Sequence, residues 1–136
     1  MKKLVLFYSY TGNTKALADE LAKAEGADIA EIRDTKRPGI PAAYVKGGYA
    51  AIKGRGWPIQ PLGVDLSAYE HIFLLSPVWG GNPPPAVNAA LTDLPTGKTM
   101  SVKMVSSSGK SRCREKLEAL ITGRAGILKS FEDIKA

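Results

Sequence analysis

Residues that build covalent or metal cross-links are nearly missing from this chain: 136 residues contain one cysteine, Cys113, and one histidine, His71. A lone cysteine excludes an intrachain disulfide, and with a lone histidine it argues against a Cys/His zinc site. Long apolar runs are missing as well. No stretch approaches the roughly 20 apolar residues that cross a bilayer, so the chain reads as a non-membrane protein. Met1-Lys2-Lys3 followed by Leu4 to Tyr8 has the charge order of a secretion signal. That apolar run is too short for one, and it meets Ser9, Thr11, Gly12 and Asn13 at once. Repeats, low-complexity tracts and linkers are absent too, which leaves one domain over 1–136. A reducing cytoplasm suits this cysteine usage.

What is present is the balance of a globular protein with a core, 44% apolar and 24% charged residues. Nineteen Lys and Arg against thirteen Asp and Glu leave a formal charge of +6. Such a charge suits nucleic acid, an anionic membrane, an acidic protein or a phosphorylated ligand, and charge alone does not choose among them.

Periodicity orders the chain. Leu4 to Tyr8 is a continuous apolar run, the mark of a central parallel strand covered on both faces. From Thr14 to Glu25 the pattern is helical, with Leu17, Leu21 and Ala24 on one stripe and Gly26 where a helix stops. Ile29 to Arg33 alternates like a strand near a sheet edge, so the first thirty or so residues form a βαβ unit. Residues 34–68 are broken by Pro38, Pro41, Pro58 and Pro61; Val45, Tyr49 and Ile52 predict a short helix over 42–53. Ile72 to Leu75, Met100 to Val105 and Ile127 to Phe131 supply three more strands. Val87, Ala90, Leu91 and Leu94 mark a helix whose first turn holds Pro84 or Pro85. A further helix carries Cys113, Leu117, Leu120 and Ile121 on one face. Five strands alternating with helices predict an α/β fold with an open, mostly parallel, doubly wound sheet, in which ligands bind at the loops after the strands' carboxyl ends.

Three of those loops carry unusual residues. Ser9, Tyr10, Thr11, Gly12, Asn13 and Thr14 place three Ser/Thr hydroxyls, an amide and a glycine between a buried strand and a helix N-terminus, where backbone N–H groups and the helix dipole bind phosphate. The bland alternative is that Thr11 or Asn13 caps the helix. Pro77, Val78, Trp79, Gly80, Gly81 and Asn82 lead into Pro83 to Pro85. An indole such as Trp79 offers a flat apolar face to an aromatic ligand, or simply packs over the sheet. Ser106, Ser107, Ser108 and Gly109 offer hydroxyls and backbone amides.

These motifs resemble the flavodoxin family. Ser9-x-Thr11-Gly12-Asn13-Thr14 looks like its phosphate loop, Pro77 to Pro85 is similar to its loop after the third strand, and Ser106 to Gly109 resembles its third flavin loop. The resemblance covers nearly the whole chain. It implies a five-stranded sheet of order 2-1-3-4-5 and non-covalent FMN as cofactor, with Ser9 to Thr14 on the phosphate. Trp79 would lie against the ring, Gly80 near N5, and Ser106 to Gly109 at the polar pyrimidine end. Glycine at position 80 can swing its carbonyl cheaply towards an N5 that has gained a proton. The implied function is electron transfer; a flavin-dependent NAD(P)H:quinone or small-acceptor oxidoreductase and a flavin-free interaction domain are the alternatives. No metal ligands and no catalytic side chains are assigned.

The chain departs from the family in three ways. The third loop lacks an aromatic to cover the ring's second face, a task left to Tyr49, to Trp57 or to no residue. The charge is basic, which implies an acidic redox partner rather than nucleic acid or a membrane. The family's last helix is lacking after the fifth strand, so Ile127 or Leu128 and Phe131 are expected to face water, with a homodimer as one remedy and the central excursion folded over as cover as the other.

Other motifs fail. Ser108-Gly109-Lys110-Ser111 ends like a nucleotide P-loop, but Met104 stands at the required earlier glycine; Thr92 stands likewise before Thr96-Gly97-Lys98-Thr99. Nor does any G-x-G-x-x-G follow a strand. Cys113 reads as a buried inert thiol, and His71 has no catalytic partner. Lys110, Arg112, Arg114 and Lys116 read as a solvated helix face, with Lys110 and Arg112 close enough to the third loop to meet an anion.

Overall fold

Leu4, Val5 and Leu6 are sealed from water on both faces of the sheet, and this requires a strand with neighbours on either side and helices above and below. A computed structural model, describing residues 2–35 and 57–136, provides them. The order is β1 (Lys3–Phe7), α1 (Asn13–Glu25), β2 (Asp28–Glu31), β3 (His71–Pro77), α2 (Pro85–Thr92), β4 (Thr99–Ser106), α3 (Arg114–Gly123) and β5 (Ile127–Lys135). A 3₁₀ turn, Leu66–Ala68, precedes β3. All pairings are parallel and the sheet order is β2-β1-β3-β4-β5, the α/β arrangement expected. The helix expected over 42–53, with Val45, Tyr49 and Ile52, lies outside the described residues. Among those described, no helix is long and apolar enough to cross a membrane.

Register lines up the core. Leu4 pairs with Ile72 and Ile72 with Met100; Leu6 pairs with Leu74 and Leu74 with Val102. These side chains face α2 and α3, where Ala86, Val87, Ala90, Leu91, Leu117 and Ile121 complete the larger apolar cluster. Val5, Phe7 and Leu75 point the other way, against Ala18, Leu17 and Leu21 of α1. Pro84 precedes α2 and Pro85 opens it, a place where a missing N–H costs nothing. Cys113 is wholly buried at the start of α3. Burial pushes its thiol pKa up, opposed by the Ser111 hydroxyl, so it stays protonated and inert as expected.

β5 departs from expectation. It runs four residues past Phe131, and its frame shifts. Met100 pairs with Leu128 but Ser101 with Ser130, so Lys129 is an extra residue in a β-bulge. Leu128 and Phe131, three apart, therefore fall on the same face and pack half-buried against the larger cluster, with the Arg114 guanidinium 5.8 Å from the Phe131 ring centroid. They do not face water as the plain alternation implied. Ile127 does, at 63% exposure. On the α1 side, beyond the reach of α1, β4 and β5 pair Ser101 with Ser130 and Lys103 with Glu132. The latter two form an ion pair of 2.8 Å. The bare apolar surface on which a homodimer was argued is thus smaller than expected.

His71 belongs to the same side of the sheet. Its Nδ1 lies 2.7 Å from the Thr99 hydroxyl and its Nε2 3.0 Å from that of Ser101, and its ring meets Phe73 edge-on. Thr99 donates to the Glu70 carbonyl, so it accepts from Nδ1–H, and Nε2 accepts from Ser101. Burial holds the His71 pKa below its ordinary value, aided by Lys129 and Lys3. The imidazole is a neutral structural bracket between β3 and β4.

The turn from α3 to β5 leaves no room for a side chain at Gly126. A Cβ at Gly126 would stand 2.6 Å from the Lys98 carbonyl oxygen and 3.1 Å from that of Ile121. Backbone cannot retreat as a side-chain tip can. Gly126→Ala should lower unfolding stability by about 2 kcal/mol, measured by denaturant titration; an unchanged midpoint would show that the turn yields freely.

Candidate functional site

Parallel strands send their following loops to one edge, and three such loops meet there. The first leaves β1 through the buried Tyr8 and Ser9. The Ser9 hydroxyl accepts the Gly12 N–H at 3.0 Å, folding the loop back on itself. Gly12 has φ 103°, a conformation that an L side chain resists, and it occupies the N-cap of α1 with no side-chain cap. Thr11 and Asn13 do not cap this helix. Thr11, Gly12 and Asn13 are exposed, Thr14 is buried, and the first turn holds no acidic residue. The helix thus presents its N–H groups and positive dipole end uncapped by any side chain, an arrangement that receives an anion.

The second loop is a tight hairpin. Trp79 and Asn82 exchange backbone hydrogen bonds of 2.8 and 3.1 Å, and Gly80 and Gly81 between them have φ 60° and 82°. Two successive positive φ values are those of a type I′ turn, which glycine pairs favour. The Asn82 side-chain amide donates to the Gly80 carbonyl at 3.1 Å.

Trp79 turns towards the first loop. Its ring meets Tyr10 at 5.7 Å, Tyr8 at 6.1 Å and Trp57 at 6.1 Å between centroids, each edge-on. Trp57 and Trp79 therefore touch directly, leaving no gap for a ring between them. Asp34, just past β2, holds this cluster: it accepts from the Tyr8 hydroxyl at 2.7 Å and from the Trp57 indole N–H at 2.8 Å. Tyr49, the other aromatic expected to cover the ring, lies outside the described residues.

The third loop folds on its own hydroxyls. Ser106 accepts the Gly109 N–H at 3.0 Å and Ser108 that of Lys110 at 3.3 Å. It is anchored to the chain end by the Ala136 N–H on the Ser106 carbonyl, 2.9 Å, and to the second loop by the Arg112 N–H on the Gly81 carbonyl, 2.7 Å. Between the two loops lies an open cleft of about 690 Å³, lined by Val78, Gly80, Gly81, Ser106 to Ser108, Lys110, Ser111 and Arg112.

The structure thus gathers Ser9 to Thr14, Pro77 to Asn82 and Ser106 to Gly109 at one edge but divides their tasks. Trp79 joins Tyr10 in the aromatic cluster, while Val78, Gly80 and Gly81 face Ser106 to Ser108 across the cleft. Asp34 and Ser111 were missed from the sequence. Asp34 had a positional signal, since it follows a strand's carboxyl end, but nothing in the sequence names Tyr8 and Trp57 as its partners. Among the described residues no group of three or more side chains could hold a metal ion.

Neither a protein-family model nor a curated protein matches the sequence. Solved structures do match in shape. A Lactobacillus acidophilus flavoprotein in complex with FMN superposes with a TM-score of 0.74 at 20% identity, over 96% of this chain and 91% of that one. A Bacteroides eggerthii protein assigned as a flavoprotein gives 0.79 at 20%, over 96% and 86%. Oxidised flavodoxin 2 from Bacillus cereus gives 0.60 at 19%, over 99% and 84%. With about one residue in five shared, the likeness establishes a flavodoxin-like fold.

Asp34→Ala should free the Trp57 indole. The chain has two tryptophans, so emission reports on this cluster: a red shift and easier acrylamide quenching are expected, with stability lower by about 1–3 kcal/mol. Wild-type emission would show that Asp34 does not hold the cluster.

Proposed function

We propose that this chain, on its flavodoxin-like fold, binds FMN non-covalently and transfers electrons. The observation that carries this reading is the first loop: a helix N-terminus with no capping side chain, preceded by exposed Thr11, Gly12 and Asn13 and hinged on Ser9. Left without a ligand, such a terminus forgoes the roughly 1 kcal/mol that an ordinary cap contributes. A phosphate supplies the missing acceptor.

The rest of the edge fits the remainder of the cofactor. Trp79 offers its indole to the flavin ring. Gly80 is the peptide assigned to N5, its carbonyl retained at present by the Asn82 amide. Ser106 to Gly109 present donors and acceptors suited to the pyrimidine edge. When bound, the flavin supplies one- and two-electron transfer; the chain supplies binding, orientation and electrostatics. The FMN complex of the Lactobacillus acidophilus protein supports the assignment. The formal +6 favours an acidic redox partner, reached in the cytoplasm.

One observation favours a second reading, a flavin-dependent NAD(P)H:quinone or small-acceptor oxidoreductase. The direct contact of Trp57 with Trp79 leaves no described aromatic to cover the far face of a ring lying on Trp79, and an open face admits a substrate. Steady-state NAD(P)H oxidation in the presence of a quinone separates the two; a carrier shows none.

FMN should bind far more tightly than riboflavin, since each hydrogen bond to a charged phosphate contributes about 1.5–3 kcal/mol. Thr11→Val should weaken FMN about tenfold or more and leave riboflavin unchanged. Fluorescence titration of the two flavins measures this, and equal affinities would remove the phosphate from the first loop. Association with an acidic partner should slow as salt approaches physiological strength, where the Debye length is about 8 Å. A stopped-flow rate indifferent to salt would show that the basic charge has no part in docking.

A further inference from the structure

The cleft between the second and third loops has an unusual electrostatic make-up. Four serines and two cations, Lys110 and Arg112, line it, and no carboxylate does. Among the described residues, Lys3, Lys15, Arg33 and Lys103 are in ion pairs, whereas Lys110 and Arg112 are in none. Arg112 is also fixed in place. Its N–H holds the Gly81 carbonyl, and its side-chain stem lies over that glycine, so that a Cβ there would meet the Arg112 Cδ at 3.1 Å and Cγ at 3.2 Å. Arg112 also borders a neighbouring cavity with Arg114, Glu115 and Asp133, but those carboxylates stand outside the cleft.

We infer that Arg112, seconded by Lys110, gives the polar edge of the bound flavin a cationic partner, so that this protein stabilises negative charge on the ring. The inference rests on the FMN reading above. A hydroxyl-rich wall suits only the pyrimidine edge of isoalloxazine, because the dimethylbenzene edge has nothing to hydrogen-bond. Negative charge gathers on N1 and the C2 carbonyl when the ring takes up two electrons and one proton. It gathers there too when sulfite bonds through its sulfur lone pair to N5, with no group lost. A cation beside that edge favours both; a carboxylate would oppose both. The protein is therefore tuned towards easy reduction of its cofactor.

Sulfite titration of the FMN-loaded protein, followed by bleaching of the visible flavin band, tests this beside the two-electron midpoint potential against a reference dye. Arg112→Gln keeps the backbone bond to Gly81 and should weaken sulfite binding about tenfold, with the potential moving to more negative values. Lys110→Gln should act in the same direction less strongly, and Arg112→Lys should retain most of the wild-type behaviour. Wild-type sulfite affinity and potential in FMN-loaded Arg112→Gln would overturn the inference and leave the FMN reading standing. If Arg112→Gln does not fold, the exposed Lys110→Gln decides alone, unchanged values again overturning it. A wild-type chain that takes up no FMN would overturn the cofactor assignment itself and this inference with it.

Discussion

The parallel ladder of β1, β3 and β4 is the constraint from which the rest follows. Parallel neighbours cannot be joined by a hairpin, so the chain must cross back over the sheet before each new strand. The crossovers bury both faces, which is why Leu4, Val5, Ile72 and Leu74 are sealed from solvent. They also deliver each strand's carboxyl end, and the loop after it, to the same edge. Segments as distant as Ser9, Gly81 and Ser106 become neighbours by topology, before any side chain at the site has made a contact.

Once assembled, the edge is held by a few polar contacts between loops. The Arg112 N–H on the Gly81 carbonyl fastens the third loop to the second. Asp34 fastens the end of β2 to Tyr8 and Trp57, and Trp57 leans on Trp79. The Ser9 hydroxyl turns the first loop without capping the helix it introduces. The Ser9, Ser106 and Ser108 hydroxyls hold the shapes of their own loops, while α1 keeps a terminus with no side-chain cap and the cleft keeps two cations outside any described ion pair. Such a set of unmet polar interactions suits a ligand with a phosphate at one end and a polar ring edge at the other.

The open flank of the sheet obeys the same economy. Beyond α1, the β4–β5 surface is not a bare apolar plain but rows of Ser101 with Ser130 and Lys103 with Glu132. The bulge at Lys129 turns Leu128 and Phe131 inward, and charged residues together with the bulge blunt an edge strand that would otherwise invite pairing.

Much of this was legible in order along the chain. Continuous apolar runs at Leu4 to Tyr8 and Ile72 to Leu75, the helical stripes, and the glycine- and hydroxyl-rich loops between them determine the strands, the helices and which loops could bind a ligand, because burial period and turn chemistry are local properties. Tertiary structure decided what depends on partners far apart in sequence. The frame of β5 turned on one extra residue whose presence is defined only by pairing with β4. The partners of Asp34 lie 23 and 26 residues away in either direction. Arg112, by sequence a basic residue on a solvated helix face close enough to the third loop to meet an anion, lies ahead of α3 instead, and it became part of the cleft because its backbone reached Gly81 across the sheet's edge. A charged or polar side chain carries its chemistry in the sequence, but the group that its chemistry meets is set by the fold.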